Sequence, residues 1–423
     1  MSIQQNFPAI SPSLNLNFAR SKTLDPRITF SRTSTATRVN EQGLVEVVSA
    51  DIPRFDHEYD ASTGVVKSLG LLVEESRVNY ETYTEDPTQW NTSNMVPTGN
   101  SITLPTGEVS TTIEYKGETT DANNKFIRPT VSGSAITAGD TWTYSGFYKK
   151  GTTNGERYVH IVLQNNTATE STGRRFDFDI GNWASSQSLN GVTVVDSGFE
   201  KYPNGWFRIW MTCTFPSASS AVQTFTRLFT NSTSIPYDTS FSLWGTQLEK
   251  ASFYTSYIPN NTGSTATRNP DNVSMTGDNL FDWYNQSEGT TVIQLRNYNI
   301  SATSTSLLTY RGTIVPNNSM NYFRQLDSQP VGQIIYEGTL PMNLGLGAIW
   351  TTEDLQKHAF FYKKDDSGIA RFNDVRTDTS VDIPTVNSLI IGSSTQTYNK
   401  FILSQLTYYP RRLTNDQLQN LTK

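Results

Sequence analysis

An all-β chain built from antiparallel sandwiches is what this sequence predicts, on three observations. Apolar and polar residues alternate with a period of two along most of the chain, the mark of strands whose successive side chains face opposite sides of a sheet. Short turn signals, such as Asn190-Gly191, Pro203-Asn204-Gly205, Pro316-Asn317-Asn318 and Asp365-Asp366-Ser367-Gly368, separate the alternating runs. Strong helix signals occur once, at the very end. Spacing of this kind argues for sandwiches rather than alternating strand–helix units.

Composition supports a folded chain. The 423 residues include 8 Trp, 20 Tyr and 21 Phe, too many aromatics for a disordered polar tract. Only 17% are charged and 35% hydrophobic, so by difference roughly 37% are Ser, Thr, Asn or Gln, where an average chain has about 25% charged residues. Its surface is polar mainly through hydroxyls and amides.

The strands can be justified in order. Leu69-Gly70-Leu71-Leu72-Val73 is a strand-sized apolar run in the first segment. Next come Trp142 to Tyr148, Tyr158 to Leu163, Arg175 to Ile180 and Trp206 to Met211, each rich in β-branched or aromatic residues. The final third carries His358 to Tyr362, Ser388 to Gly392 and Phe401 to Tyr409. After that strand, Thr414 as N-cap and Gln417 three residues later form a capping box, with Leu413 and Leu418 as the hydrophobic staple. Leu418 and Leu421 should pin this short helix to the last sandwich, keeping the C-terminus ordered. Ser34-Thr35-Ala36-Thr37-Arg38 recurs as Ser264-Thr265-Ala266-Thr267-Arg268, too short to establish a repeat. Turn-rich stretches near 85–100 and 262–276 mark boundaries. The expected units are 1–88, an N-terminal docking or β segment; 89–262, a jelly-roll sandwich; and 263–423, a concanavalin A-like sandwich.

Several functions are excluded or disfavoured. A net charge of −6 without a basic stripe argues against nucleic-acid binding. The longest apolar runs are strand-sized, so no membrane insertion is expected. The first residues lead into no apolar signal region, and Cys213 alone allows no internal disulfide, both fitting synthesis in a reducing cytoplasm. The zincin, nucleophile-elbow, P-loop and Cys-x-x-Cys signatures are missing.

Leu24-Asp25-Pro26-Arg27-Ile28-Thr29-Phe30-Ser31-Arg32, then Gly70 to Asn79, then Trp244 to Glu249, Tyr254 to Pro259 and Ala266-Thr267-Arg268 resemble, in that order, landmarks of tailed-bacteriophage virion structural proteins. The third group resembles the end of their carbohydrate-module-like jelly roll. The last third is similar to laminin-G or pentraxin-type modules, through His358 to Tyr362, Gly368 to Asn373, Leu389 to Gly392 and Tyr408 to Thr414. Asp374 stands where such modules often carry Gly, which affects only the turn type. The resemblance implies a particle protein of the tail-fibre, appendage or head-decoration kind, located in the virion after assembly in the host cytoplasm. Its implied partners are other virion proteins, further copies of itself, a trimer above all, and host-surface glycans. The runner-up readings are a tail-spike polysaccharide depolymerase and a non-viral glycan-binding protein.

Candidate chemistry is sparse, and the expectation is that the chain is not an enzyme, with no catalytic or cofactor-binding residue assigned. His57, His160 and His358 lie far apart in sequence and are read as structural. Asp177 and Asp179 share one strand face at a Cα separation of roughly 6.5–7 Å, longer than the roughly 5–5.5 Å carboxyl pair of a retaining glycosidase though the side chains could converge, and read as the solvent side of a strand burying Phe176 and Phe178. Asp56, Glu58 and Asp60 flank His57 and offer oxygen ligands for Ca²⁺; with Ser62, Thr63 and Gly64 following, they read more simply as a charged turn. The metal question stays open. Trp206, Trp210, Trp244, Trp283 and Trp350 are read as core rather than sugar platforms.

Overall fold

The computed structural model describes residues 7–118, 125–152, 154–228, 239–298, 305–312, 318–325, 329–347, 355–392 and 400–423. Trp350 and the Pro316-Asn317 part of one turn signal lie outside the described residues.

Two antiparallel sandwiches account for the chain. In the jelly roll, one sheet runs in the order Met95–Pro97, Glu114–Gly117, Ser240–Glu249, Thr141–Lys150, Phe207–Thr214 and Thr193–Lys201. The facing sheet centres on Ser171–Asp177, Tyr158–Asn165 and Val222–Leu228. Between them lie Trp142, Tyr144, Ile161, Phe176, Ile209 and Leu243, none with measurable exposure. Cys213 is buried in this core, which pushes its thiol well above the usual range and keeps it unreactive.

The second sandwich draws on both ends of the chain. Its first sheet runs Asp374–Asp378, Ser367–Arg371, Gln356–Lys363, Glu288–Asn297, Lys400–Tyr409, Val65–Glu74 and Arg54–Asp60, with Leu14–Asn17 also paired to Lys400–Tyr409. The facing sheet begins with Thr29–Ser31 beside Asn272–Thr276. Leu14, Phe18, Phe55, Leu71 and Val73 therefore share one core with Ile293, Phe360, Leu389 and Phe401. Strands from residues 1–88 complete the sheets of the last third, because Leu71-Leu72-Val73 needs apolar cover on both faces and finds it there.

Where the two sandwiches meet, a buried ionic hub replaces apolar packing. Arg54 donates to Glu74 at 2.8 Å and to Asp271, Arg268 forms an ion pair with Glu74 at 2.8 Å, and Arg32 reaches Asp271 at 3.0 Å. All five side chains have 0% exposure. Charges so far from water persist only when paired and hydrogen-bonded, and Ser256 supplies two further donors to Glu74. Arg32, Glu74 and Arg268 of this hub lie within the stretches 24–32, 70–79 and 266–268.

The C-terminal helix Asn415–Leu421 forms with Thr414 as N-cap and both capping-box bonds in place. Leu413 and Leu418 are buried in one cluster, with Leu421 packed against it. Two further one-turn helices, Phe18–Ser21 and Asp278–Phe281, escape the sequence reading because one turn carries no periodicity. No helix among the described residues is long and apolar enough to cross a membrane. The five-residue echo is not a structural repeat. Arg38 forms a surface pair with Glu46, whereas Arg268 is wholly buried on Glu74.

Candidate functional site

A cleft with a cavity of about 410 Å³ opens beside the hub, where the jelly roll, the first strands and the last sandwich converge. Its shape starts with one local irregularity. Along the hairpin of Arg54–Asp60 with Val65–Glu74, Asp56 pairs with Gly70 but His57 pairs with Ser68, leaving Leu69 as an extra residue. Gly70 sits at φ +129, a conformation L side chains rarely adopt, and a Cβ there would lie 2.3 Å from the Leu403 carbonyl oxygen. Bulges of this kind re-aim side chains, and the consecutive Asp56 and His57 both line the cleft.

Val39 fixes this pair. Its N–H donates to the Asp56 carboxylate at 2.6 Å, and its carbonyl accepts from His57 Nδ1 at 3.0 Å. Burial pushes the Asp56 carboxyl up to about 6; the Val39 N–H and Lys400 pull it down, and Glu200 pushes it further up. Burial also lowers His57, which keeps the imidazole neutral. Across the cleft, Glu200 on strand Thr193–Lys201 accepts from Tyr254 Oη at 2.7 Å and from Tyr202 Oη at 3.1 Å. Tyr254 stacks on Trp210 with centroids 4.0 Å apart, so the phenol is held by packing as well as by its bond.

The third wall belongs to Lys400, which opens the strand Lys400–Tyr409. Its ammonium stands 3.8 Å from the Tyr254 ring centroid and 4.4 Å from that of Tyr298, a cation held between two aromatic faces. Tyr298 is placed by its N–H bond to the Lys400 carbonyl, at 3.1 Å. Burial lowers the Lys400 pKa, and Glu200, Glu74 and Asp56 partly restore it. The outer rim is closed by ion pairs, Arg296 with Glu58 at 3.0 Å and Lys67 with Asp60 at 2.7 Å. The arrangement can therefore present carboxyl acceptors, a buried ammonium and aromatic faces to one small polar molecule, within the volume range of ligand pockets.

The three histidines stay apart. His57 lines the cleft; His160 lies on a jelly-roll strand, lowered to about 4 mainly by burial; His358 is fully buried beside Tyr322 in the second sandwich. Asp56, Glu58 and Asp60 do not converge, each being committed to a different partner, and Asp60 to Gly64 form the charged turn of the hairpin. Among the described residues no group of three or more His, Cys, Asp or Glu gathers to hold a metal ion.

Asp177 corrects its sequence reading. The strand ends at Asp177, so the period of two does not reach Asp179, and Asp177 is 2% exposed rather than solvent-facing. It binds Arg157 at 2.8 Å and accepts from the Asp179 N–H, while Asp179 pairs with Lys150. Phe176 and Phe178 are in the core as expected. Trp206, Trp210, Trp244 and Trp283 are buried, consistent with core roles. Glu200, Lys400, Tyr254 and Tyr298 were not singled out as site residues, because nothing local distinguishes them.

No family model and no curated protein matches the chain. Solved structures similar to it include Trypanosoma rangeli sialidase, at 10% identity over 73% of this chain and 60% of that one, with a TM-score of 0.31. The chain thus spans less than two thirds of the sialidase's length. Domains LG4-5 of the mouse laminin alpha1 chain follow at 8% identity, 79% and 87% coverage and a TM-score of 0.22. The GH43 protein BlXynB of Bacillus licheniformis matches at 10% identity, 93% and 99% coverage and a TM-score of 0.22. Likenesses this loose transfer no site to this chain. With a sialidase and GH43 proteins among the neighbours, however, the expectation of a non-enzymatic chain is withdrawn.

Proposed function

We propose that this chain is a glycan-engaging β-sandwich protein, that the junction cleft is where it takes sugar, and that it works as part of a bacteriophage particle. The observation that carries the glycan reading is the cleft's mixed lining: carboxyl groups of Asp56 and Glu200, the ammonium of Lys400 and the Tyr298 ring within one concavity. Sugars offer hydroxyls to such acceptors and donors and an apolar ring face to the aromatics. The particle assignment rests on the sequence landmarks alone, and so do its partners, other virion proteins and sister copies in a trimer. Open sheet edges give symmetric partners something to cover.

A second reading, cleavage of host polysaccharide, is favoured by one observation. Asp56, held near 6, can keep a proton close to neutral pH, as a general acid must. Incubating the protein with host capsule or lipopolysaccharide, and following both retention and release of shorter oligosaccharides, separates the two. Retention without shortening supports binding; shortening that is lost in Asp56→Asn supports cleavage. Absence of both, with a silent glycan array, overturns the glycan reading. Mass spectrometry of purified particles tests the virion assignment, and solution mass tests the trimer.

A further inference from the structure

Lys400 is 5% exposed, yet no hydrogen-bond or ion-pair acceptor among the described residues takes its ammonium, which stands against two aromatic faces. Four of the neighbouring cations are committed elsewhere: Arg296 to Glu58, Lys67 to Asp60, Arg38 to Glu46, and Arg208 to Ser145 Oγ and the Thr255 carbonyl. Glu74, its cross-strand neighbour, is saturated by Arg54, Arg268 and Ser256. Glu200 accepts from the Tyr202 and Tyr254 hydroxyls rather than from Lys400. A buried ammonium without an acceptor is costly, and because Lys400 lines the cavity, the missing acceptor can come from a bound molecule.

A second observation gives the sign of that molecule. The chain has a net charge of −6, but its cleft is lined by Arg38, Lys67, Lys201, Arg208, Arg296 and Lys400 against Asp56, Glu58, Asp60 and Glu200. Positive lining inside a negative molecule concentrates anions locally.

We infer that the cleft selects an anionic saccharide, whose carboxylate or phosphate seats on Lys400 between Tyr254 and Tyr298. The inference rests on the glycan reading of the same cleft and names its substrate class. In the bound state the anionic group accepts from the Lys400 ammonium, the sugar hydroxyls donate toward Asp56 and Glu200, and the ring lies against Tyr298.

The test uses the full chain and three simple probes, D-glucuronate, glucose 6-phosphate and glucose, titrated at low salt with NMR detection. At least one anionic sugar should bind roughly tenfold more tightly than glucose, as a charge-assisted hydrogen bond provides, and the preference should shrink as salt is added. Preference for glucuronate identifies an acidic sugar, and preference for the phosphate a phosphorylated one. Lys400→Gln should remove the preference, weakening the anionic probes more than glucose, and Lys400→Arg should retain part of it. Thermal melting of both variants reports whether they fold, and Tyr298→Ala, which leaves the lysine in place, should weaken all three probes together. Equal affinity for the three probes overturns the anionic anchor and leaves the glycan reading standing; no binding at millimolar concentration overturns both.

Discussion

Arg268 forms an ion pair with Glu74 at 2.8 Å at the junction of the two sandwiches, and neither side chain retains any exposure. Glu74 also holds Arg54, and the pull of Arg268 and Arg54 keeps its carboxyl well below the usual range despite the opposing cost of burial. Removing the acid leaves the buried Arg268 without its carboxylate partner and Arg54 with Asp271 alone. Glu74→Ala should cost roughly 3–5 kcal/mol, read as a shift in the urea midpoint; a change under about 1 kcal/mol, the worth of a surface pair, would show that the hub is wet.

Gly70 is where the bulge and the cleft depend on one missing methyl group. Gly70→Ala forces a Cβ against the backbone of Leu403 at a φ suited to glycine. We expect a loss of roughly 3 kcal/mol with a chemical-shift change spreading to His57. An alanine variant of wild-type stability would mean that the hairpin pairs without the extra residue.

Glu81 supplies a pH test. It is 0% exposed, accepts from Thr224 Oγ1, and burial raises its carboxyl from 4.5 to about 7. A raised folded-state pKa means the folded protein holds the proton more tightly, so stability is greatest below pH 4.5 as far as this group is concerned and falls as pH rises through 7. The full span is worth roughly 3 kcal/mol. Glu81→Gln keeps the acceptor for Thr224 and should be more stable than wild type at pH 8 by about that amount, with the difference vanishing near pH 4.5. Parallel stability curves for the two proteins would refute the assignment.

Thr414→Ala removes one half of the capping box and should cost about 1 kcal/mol, seen as earlier amide exchange in Asn415–Leu421. Unchanged exchange there would mean that Leu413 and Leu418 alone hold the helix.

Residues 263–423 alone should not fold. Without the strands Leu14–Asn17, Thr29–Ser31, Arg54–Asp60 and Val65–Glu74, both sheets lose members, and Phe360, Leu389 and Phe401 lose their cover from Phe55 and Leu71. Circular dichroism of that fragment, against the same fragment mixed with residues 1–88, checks this; a cooperative melt of the fragment alone would contradict it.

Much of the architecture was legible because alternation and turn chemistry act locally. Trp142 to Tyr148 reads as a strand from its own seven residues, and Thr414 with Gln417 announces a helix start from four. What could not be read is whatever depends on partners distant in sequence. Lys400 begins an ordinary apolar strand, and its setting comes from Tyr254, 146 positions earlier, and from a cross-strand tyrosine. Asp56 was noticed as one of three alternating acids, but its separation from Glu58 and Asp60 arises from a bulge that a single glycine permits. Asp177 was misread because alternation does not announce where a strand stops.

The strand Lys400–Tyr409 is bonded to Leu14–Asn17, Val65–Glu74 and Glu288–Asn297. During synthesis, Leu14–Asn17 and the outer edge of the Val65–Glu74 hairpin must therefore wait for a partner segment translated hundreds of residues later. Only when that segment leaves the ribosome can it slot between its waiting neighbours and carry the lysine into place, so a half-made chain has no finished pocket with which to capture a ligand prematurely.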